Sequence, residues 1–253
     1  MEIIRISNGN YEEYESLLLH RDSLEKQGRC FLIEYTKIFG DLINECFQAE
    51  IRCIELKKSI AYIQMCMNRG EEFSPYKLAS YIQQQMNSYY EKLKTMAEEN
   101  EMCKKSEKIS DESVKKIKQI YRRIARKLHP DISPVTAEHE ELMDLWNRAM
   151  IAYKYNELEE LEEIEDLVNI FLSENNIEKV SMSIPDMARK IEKVKEDIKR
   201  IISTDPYRLK LLLEDDIQID EKKKEICTQT AEYDEYEEKL KEILNSLLAG
   251  GGE

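Results

Sequence analysis

Apolar residues recur along this chain at alternating steps of three and four. From Leu32 the run continues through Tyr35, Phe39, Leu42, Cys46, Ala49, Cys53, Leu56, Ile60, Ile63 and Met67 without a break. That heptad spacing draws one stripe along a helix, and a strand, with its period of two, cannot use it. The stripe predicts a helix about 60 Å long, at 1.5 Å of rise per residue. Ile38, Ile43, Phe47, Ile51 and Ile54 lie off the stripe. The apolar face is therefore wider than a two-stranded coil needs, and a third or fourth helix should pack on it. Residues 11–28, after the turn-like Ser7-Asn8-Gly9-Asn10, predict a separate short helical segment. Gly70 reads as a left-handed cap closing the long helix. Ser74-Pro75 opens the next one, with serine as N-cap and proline at the first helical position. Ala79, Ile82, Met86, Tyr89, Leu93, Met96, Asn100 and Cys103 carry its stripe. Two long helices joined by a short turn make an antiparallel hairpin.

The far end of the chain repeats this pattern. Ile177, Val180, Ile184, Met187, Ile191, Val194, Ile198 and Ile201 form a second seam. Pro185 fits only the first turn of that helix, so it should start near Ser183. Ser203-Thr204-Asp205-Pro206 is a turn, and Leu209, Leu212, Ile219, Ile226, Tyr233, Leu240, Leu244 and Leu247 return in heptad register. Asp216, Lys223, Thr230 and Glu237 fall at the alternate seam positions, where polar side chains weaken a seam and set its register. The tail Gly250-Gly251-Gly252-Glu253 is expected to fray. Three segments result: a helical hairpin over 1–109, a middle region over 110–172 and a coiled-coil hairpin over 173–253. The expected shape is elongated. Heptad seams do not fix which helices meet, so pairing within the chain and pairing between two copies as a homodimer both stay open.

Composition narrows the class to all-α. Glycine and proline together number 12 of 253 residues, against an average near 12%. A sheet protein of this length needs many more turn residues. The net charge is 38 minus 52, or -14. The chain as a whole is repelled by phosphate and by anionic lipid, which speaks against nucleic-acid and membrane partners. No run approaches 18 apolar residues, and Met1 to Arg5 lacks the basic start and apolar run of a secretory leader. None of the six cysteines forms a C-x-x-C pair. They read as small buried hydrophobes in a reducing compartment, with a cytoplasmic location expected. His139-Glu140-Glu141-Leu142-Met143 lacks the second histidine of a zinc-binding H-E-x-x-H, and no phosphate-cradling glycine motif occurs. No metal, no cofactor and no catalysis of its own are expected. His20 and His139 read as surface residues, and acidic runs such as Glu157 to Glu165 as solvated helix faces.

One segment departs from the acidic balance. Between Val114 and Leu128 lie Lys115, Lys116, Lys118, Arg122, Arg123, Arg126 and Lys127, with no acid among them. Val114, Ile117, Ile120, Tyr121, Ile124, Ala125 and Leu128 step at helical spacing, giving one buried face and an opposite cationic ridge. A solvated face would be a sufficient account of such a run by itself. This helix, however, ends in His129-Pro130-Asp131. Thr136 then offers an N-cap for a further helix carrying Met143, Trp146, Ala149, Met150 and Tyr153 at apolar spacing. Trp146 reads as core of the helix pair.

Residues Tyr121-Arg122-Arg123-Ile124-Ala125-Arg126-Lys127-Leu128-His129-Pro130-Asp131 resemble the J domain of DnaJ-type co-chaperones. In that family a basic helix II runs into a His-Pro-Asp loop, with tyrosine eight residues before the histidine, as here. The positions on the following helix match the apolar pattern of helix III. The likeness covers under a quarter of the chain. Helix I is not evident in its usual place. Tyr89-Tyr90-Glu91-Lys92-Leu93 looks like it at a longer distance, so the end of the N-terminal hairpin is expected to substitute. The Gly/Phe-rich linker, the cysteine-rich zinc module and the β-sandwich client domains of the family have no counterpart.

The resemblance implies a module that binds the ATP state of a DnaK-type chaperone and stimulates its ATP hydrolysis. Lys115, Lys118, Arg122, Arg123, Arg126 and Lys127, with Tyr121, would meet an acidic groove of the partner. Pro130 would stiffen the loop, and Asp131 would engage an arginine of the ATPase. His129 would orient the loop or touch the partner. The hairpins would select an unidentified client or partner protein. The alternative is an all-helical coiled-coil scaffold in which the J-like unit is only a structural joint.

Overall fold

The computed structural model describes residues 8–71, 74–105, 110–175 and 187–250. Those residues form nine α-helices and no strand: α1 (Asn8–Arg69), α2 (Pro75–Lys105), α3 (Asp111–Leu128), α4 (Pro134–Glu138), α5 (Glu140–Tyr155), α6 (Leu158–Glu174), α7 (Met187–Ser203), α8 (Leu209–Leu213) and α9 (Asp216–Gly250). The all-α class expected from the missing turn residues is what is found. The chain divides into two compact units. One comprises Met1–Cys30 with Glu107–Arg208, the other Phe31–Ser106 with Leu209–Glu253.

This division cuts across the three consecutive segments expected from the sequence. The reason lies in α1. Residues 11–28 are not a separate helix; they open one continuous helix of 62 residues. Its start belongs to the first unit and its remainder to the second. The two arms of the expected C-terminal hairpin likewise separate, α7 to the first unit and α9 to the second. Gly28 does not break α1, although glycine inside a helix costs about 0.5–1 kcal/mol relative to alanine. A Cβ at Gly28 would lie 3.3 Å from Pro206 Cγ, so its absence admits the turn after α7.

In the second unit, α1, α2 and α9 supply the stripes. Phe39 and Cys46 of α1 bury against Ile226 of α9, and Cys53 and Ile60 against Leu240. Each fully buried side chain of this size stabilises by about 1.5–3 kcal/mol. Glu237, one of the polar seam residues, accepts from Arg52 Nε at 2.6 Å, while Arg52 Nη2 reaches Asp234 at 2.7 Å. That pairing ties one register of α9 on α1. Gly70 closes α1 with φ +64°, as expected of a left-handed cap. Ser74 Oγ accepts from Lys77 N at 3.5 Å at the start of α2.

In the first unit, α3, α5 and α6 form a three-helix bundle. Ile117, Ile120, Ile124 and Leu128 of α3, Leu142, Trp146 and Ala149 of α5, and Leu161, Ile164 and Val168 of α6 share one core, joined by Leu19 of α1. A second cluster sets Tyr14, Leu18 and Leu24 of α1 on Ile191, Val194 and Ile198 of α7, and includes Ile132 of the loop after α3. Three expectations need correction. Met150 is exposed rather than packed, because Leu142, Leu145 and Ala152 complete the inner stripe of α5, and Val114, in the first turn of α3, is exposed as well. Thr136 caps nothing. It lies in the short α4 with its hydroxyl buried and unpartnered, and α5 starts four residues later with His139 at its N-cap. Cys46, Cys53 and Cys66 are buried as expected, but Cys30 and Cys227 are exposed, and none of the six is in a disulfide. Ile177, Val180, Ile184, Pro185 and the last three tail residues lie outside the described residues.

Candidate functional site

The loop after α3 is built around an inward-facing histidine. Ser110 caps the start of α3, its Oγ accepting from Ser113 N at 3.1 Å. At the other end the His129 N–H closes the helix on Ala125 O at 2.9 Å. Pro130 has no N–H and disfavours helix at the residue before it. His129 accordingly leaves the helix with ψ 120°. Its carbonyl then accepts from Ile132 N at 2.8 Å and Ser133 N at 2.7 Å. Its Nδ1 accepts from the Asp131 N–H at 3.1 Å, which requires that nitrogen to be unprotonated. The ring is 4% exposed and lies 4.9 Å from the Trp146 ring. Burial pushes the imidazole pKa below its ordinary value, against the opposing pull of Asp22 and Asp131. The loop is thus locked by a neutral histidine. Asp131 Oδ2 lies 4.0 Å from His129 Nδ1, and about half of the Asp131 side chain is exposed (48%).

The start of α1 forms the wall behind this loop. Tyr121 of α3 stacks on Tyr153 of α5 with ring centroids 3.9 Å apart and planes 9° from parallel. The Tyr121 hydroxyl donates to Asp22 Oδ2 at 2.8 Å, and Arg21 Nη2 donates to Asp22 Oδ1 at 2.9 Å. Lys26 Nζ sits 3.9 Å from the centre of the Tyr153 ring, buried and without a hydrogen-bond partner. Burial lowers its pKa to about 8. Burial and the Asp22 charge raise the Tyr121 hydroxyl well above its ordinary range, and the Tyr153 hydroxyl, also chiefly through burial, is pushed up to about 12. The third helix of the site therefore comes from the beginning of the chain. Tyr89 to Leu93, expected to substitute for helix I, belong to α2 in the other unit.

The cationic ridge is not one surface. Lys116 pairs with Glu162, Arg123 forms a fork on Glu165 at 2.6 and 2.7 Å, and Lys127 donates to Asn169, all on α6. Arg123 in turn holds the Glu165 carboxyl below its usual range. Arg126 Nε meets Glu15 of α1 at 2.6 Å. Lys115, Lys118 and Arg122 make no ion pair among the described residues. The acids of α6 that looked like a solvated face thus include partners for two of the seven cations, Lys116 and Arg123.

Of the ten residues singled out in the sequence, Tyr121 and His129 are turned inward and Pro130 is half-buried. Asp131, Lys115 and Arg122 are exposed and Lys118 is half-buried, while Arg123, Arg126 and Lys127 are engaged by neighbouring helices. Asp22, Arg21 and Lys26 went unnoticed because nothing local in residues 11–28 marks them. Their role comes from packing against residues some hundred positions away. His139 is not fully at the surface, its ring meeting the edge of Phe171 at 5.5 Å. Among the described residues no helix is long and apolar enough to cross a membrane, and no group of three or more His, Cys, Asp or Glu could hold a metal ion.

Compared with known proteins, the chain matches no family model, no curated protein and no solved structure.

Proposed function

We propose that this protein is a J-domain-like co-chaperone that binds a DnaK-type chaperone and stimulates its ATP hydrolysis. One observation carries this reading. A helix with a cationic face runs into a His-Pro-Asp loop whose histidine is buried while its aspartate side chain stays about half exposed. Buried His129 holds the loop, and Asp131 is the group offered outward. A carboxylate at that point suits a forked, charge-assisted bond from a partner arginine. The cationic face of α3 adds a fast, salt-sensitive attraction to an acidic surface. The chemistry belongs to the partner. The module acts by binding one nucleotide state of the ATPase better than another, since only differential affinity shifts an equilibrium. Six cysteines without a disulfide fit a reducing, cytoplasmic setting.

Binding of the purified chain to a DnaK-type chaperone, measured by calorimetry in ATP and in ADP, tests this. Preference for the ATP state, weakened in Asp131→Asn, supports the reading. Equal or absent binding removes it. The second reading, a structural joint in a helical scaffold, is favoured by the inward placement of Tyr121 and His129. It predicts no nucleotide-dependent binding from a chain that is fully folded.

A further inference from the structure

His129 holds its loop through one atom that a proton can take. Its Nδ1 accepts from the Asp131 N–H at 3.1 Å, and a protonated Nδ1 has no lone pair left to accept with. The Asp131 carboxylate lies beside the same atom, with Oδ2 4.0 Å away. That is too long for a hydrogen bond, and closing it takes about 1 Å of side-chain movement. Asp131 is exposed, which leaves room for that movement.

We propose that this loop is a proton-operated latch: with His129 neutral the Asp131 carboxylate is available to a partner, and protonation at Nδ1 breaks the bond from the Asp131 N–H and draws the carboxylate onto the imidazolium instead. This rests on the co-chaperone reading and adds a regulation to it, since mild acid withdraws the group offered to the ATPase. The bond gained is charge-assisted and stronger than the neutral one it replaces. The surroundings set where the switch falls. The start of α1 brings Asp22, which favours the charged ring, and Arg21, which opposes it, while Asp131 itself favours the charged ring. Tyr14 of α1 faces Asp131, and Asp197 and Arg200 of α7 bear on Glu25 of α1. Helix α5 contributes the uncharged Trp146 ring at 4.9 Å. Burial outweighs the acids and favours the neutral ring, so the latch closes below the ordinary histidine value of 6.5. Stimulation is therefore full at pH 7 and is lost as pH falls through that lower midpoint.

Nuclear magnetic resonance of the full chain, labelled at the aspartate nitrogens and side-chain carboxyl carbons, follows the latch from pH 7.5 to 5.5, with Asp131→Asn assigning the signals. The Asp131 amide and carboxyl carbon are expected to shift together with the His129 ring at one midpoint below 6.5, while helical circular dichroism stays unchanged. An Asp131 amide that stays in place while His129 titrates, a carboxyl carbon without an inflection at that midpoint, or a ring that stays neutral until the chain unfolds overturns the proposal. The charges of α1 supply a second arm. Asp22→Asn should move the midpoint down and Arg21→Gln should move it up, each by about half a pH unit. The pH at which stimulation of a DnaK-type chaperone falls by half should move the same way. The chaperone's own titration is common to all three chains and cancels from their ordering. An unmoved or reversed ordering overturns the proposal. Should Asp22→Asn lose its helical circular dichroism, Arg21→Gln against the unsubstituted chain decides the ordering. Absence of stimulation by the unsubstituted chain at pH 7.5 defeats the co-chaperone reading, and the spectra still decide the latch.

Discussion

The Tyr121 hydroxyl donates to the Asp22 carboxylate at 2.8 Å, joining residues 99 positions apart. This bond and the Lys26–Tyr153 contact fasten the start of α1 to the helix pair that carries the loop. Tyr121→Phe keeps the ring stack on Tyr153 and removes only the bond. A cost of about 1–2 kcal/mol is expected in urea unfolding. Asp22→Ala should cost at least as much, since it strands a buried hydroxyl. The double variant should fall short of the sum by about 1 kcal/mol, because both single changes remove the same bond. Strict additivity would show that the two groups do not interact.

Lys26 predicts a rise of stability with alkaline pH. Its amine titrates near 8 in the folded chain, chiefly through burial, and near 10.4 when unfolded. Between these values the unfolded chain binds more protons, so stability rises with pH over this window. Below pH 8 the buried ammonium is a net cost. Lys26→Met should therefore raise the melting temperature at pH 7, and its advantage over the unsubstituted chain should shrink towards pH 9. The effect is expected to be roughly 1 kcal/mol or less, because the side chain is partly solvent-screened. An advantage independent of pH between 7 and 9 would contradict the assignment.

Gly40 sits inside α1, where alanine ordinarily stabilises a helix by about 1 kcal/mol. Here a Cβ would lie 2.7 Å from Asn100 Cγ and still closer to its Oδ1. Asn100 is buried, and its Nδ2 donates to Asp41 at 2.7 Å, so it has no free space to move into. Gly40→Ala is expected to destabilise by about 1–3 kcal/mol. Adding Asn100→Ala should recover most of the overpacking cost. Stabilisation by Gly40→Ala alone would show that α2 does not approach α1 at this point.

The helices were legible because their stripes are long and unbroken. Leu32 to Met67 marks α1, and the Gly70 and Ser74-Pro75 signals place the turn to α2. What the stripes could not say is which helix each one meets. Ile191, Val194 and Ile198 formed a seam that looked like one arm of a hairpin with α9, yet they pack on Tyr14 and Leu18. A heptad repeat specifies an apolar face and not its partner. The helix after the loop was legible in Trp146, Ala149 and Tyr153, while its start was misplaced at Thr136, a good capping residue used in a buried turn. At the site, the cationic helix and His-Pro-Asp could be read directly. The burial of His129 and the division of the ridge could not, since both follow from α1 and α6 arriving from other parts of the chain.

Stimulation of a partner ATPase is the most direct test of the central claim. The steady-state ATP hydrolysis of a DnaK-type chaperone would be measured with the unsubstituted chain and with Asp131→Asn. Only the carboxylate changes in that variant, and the backbone N–H that Asp131 gives to His129 remains. The co-chaperone account predicts clear stimulation by the unsubstituted chain and loss of roughly tenfold or more of its potency in the variant. No stimulation from a folded chain, or equal stimulation by both, would contradict it.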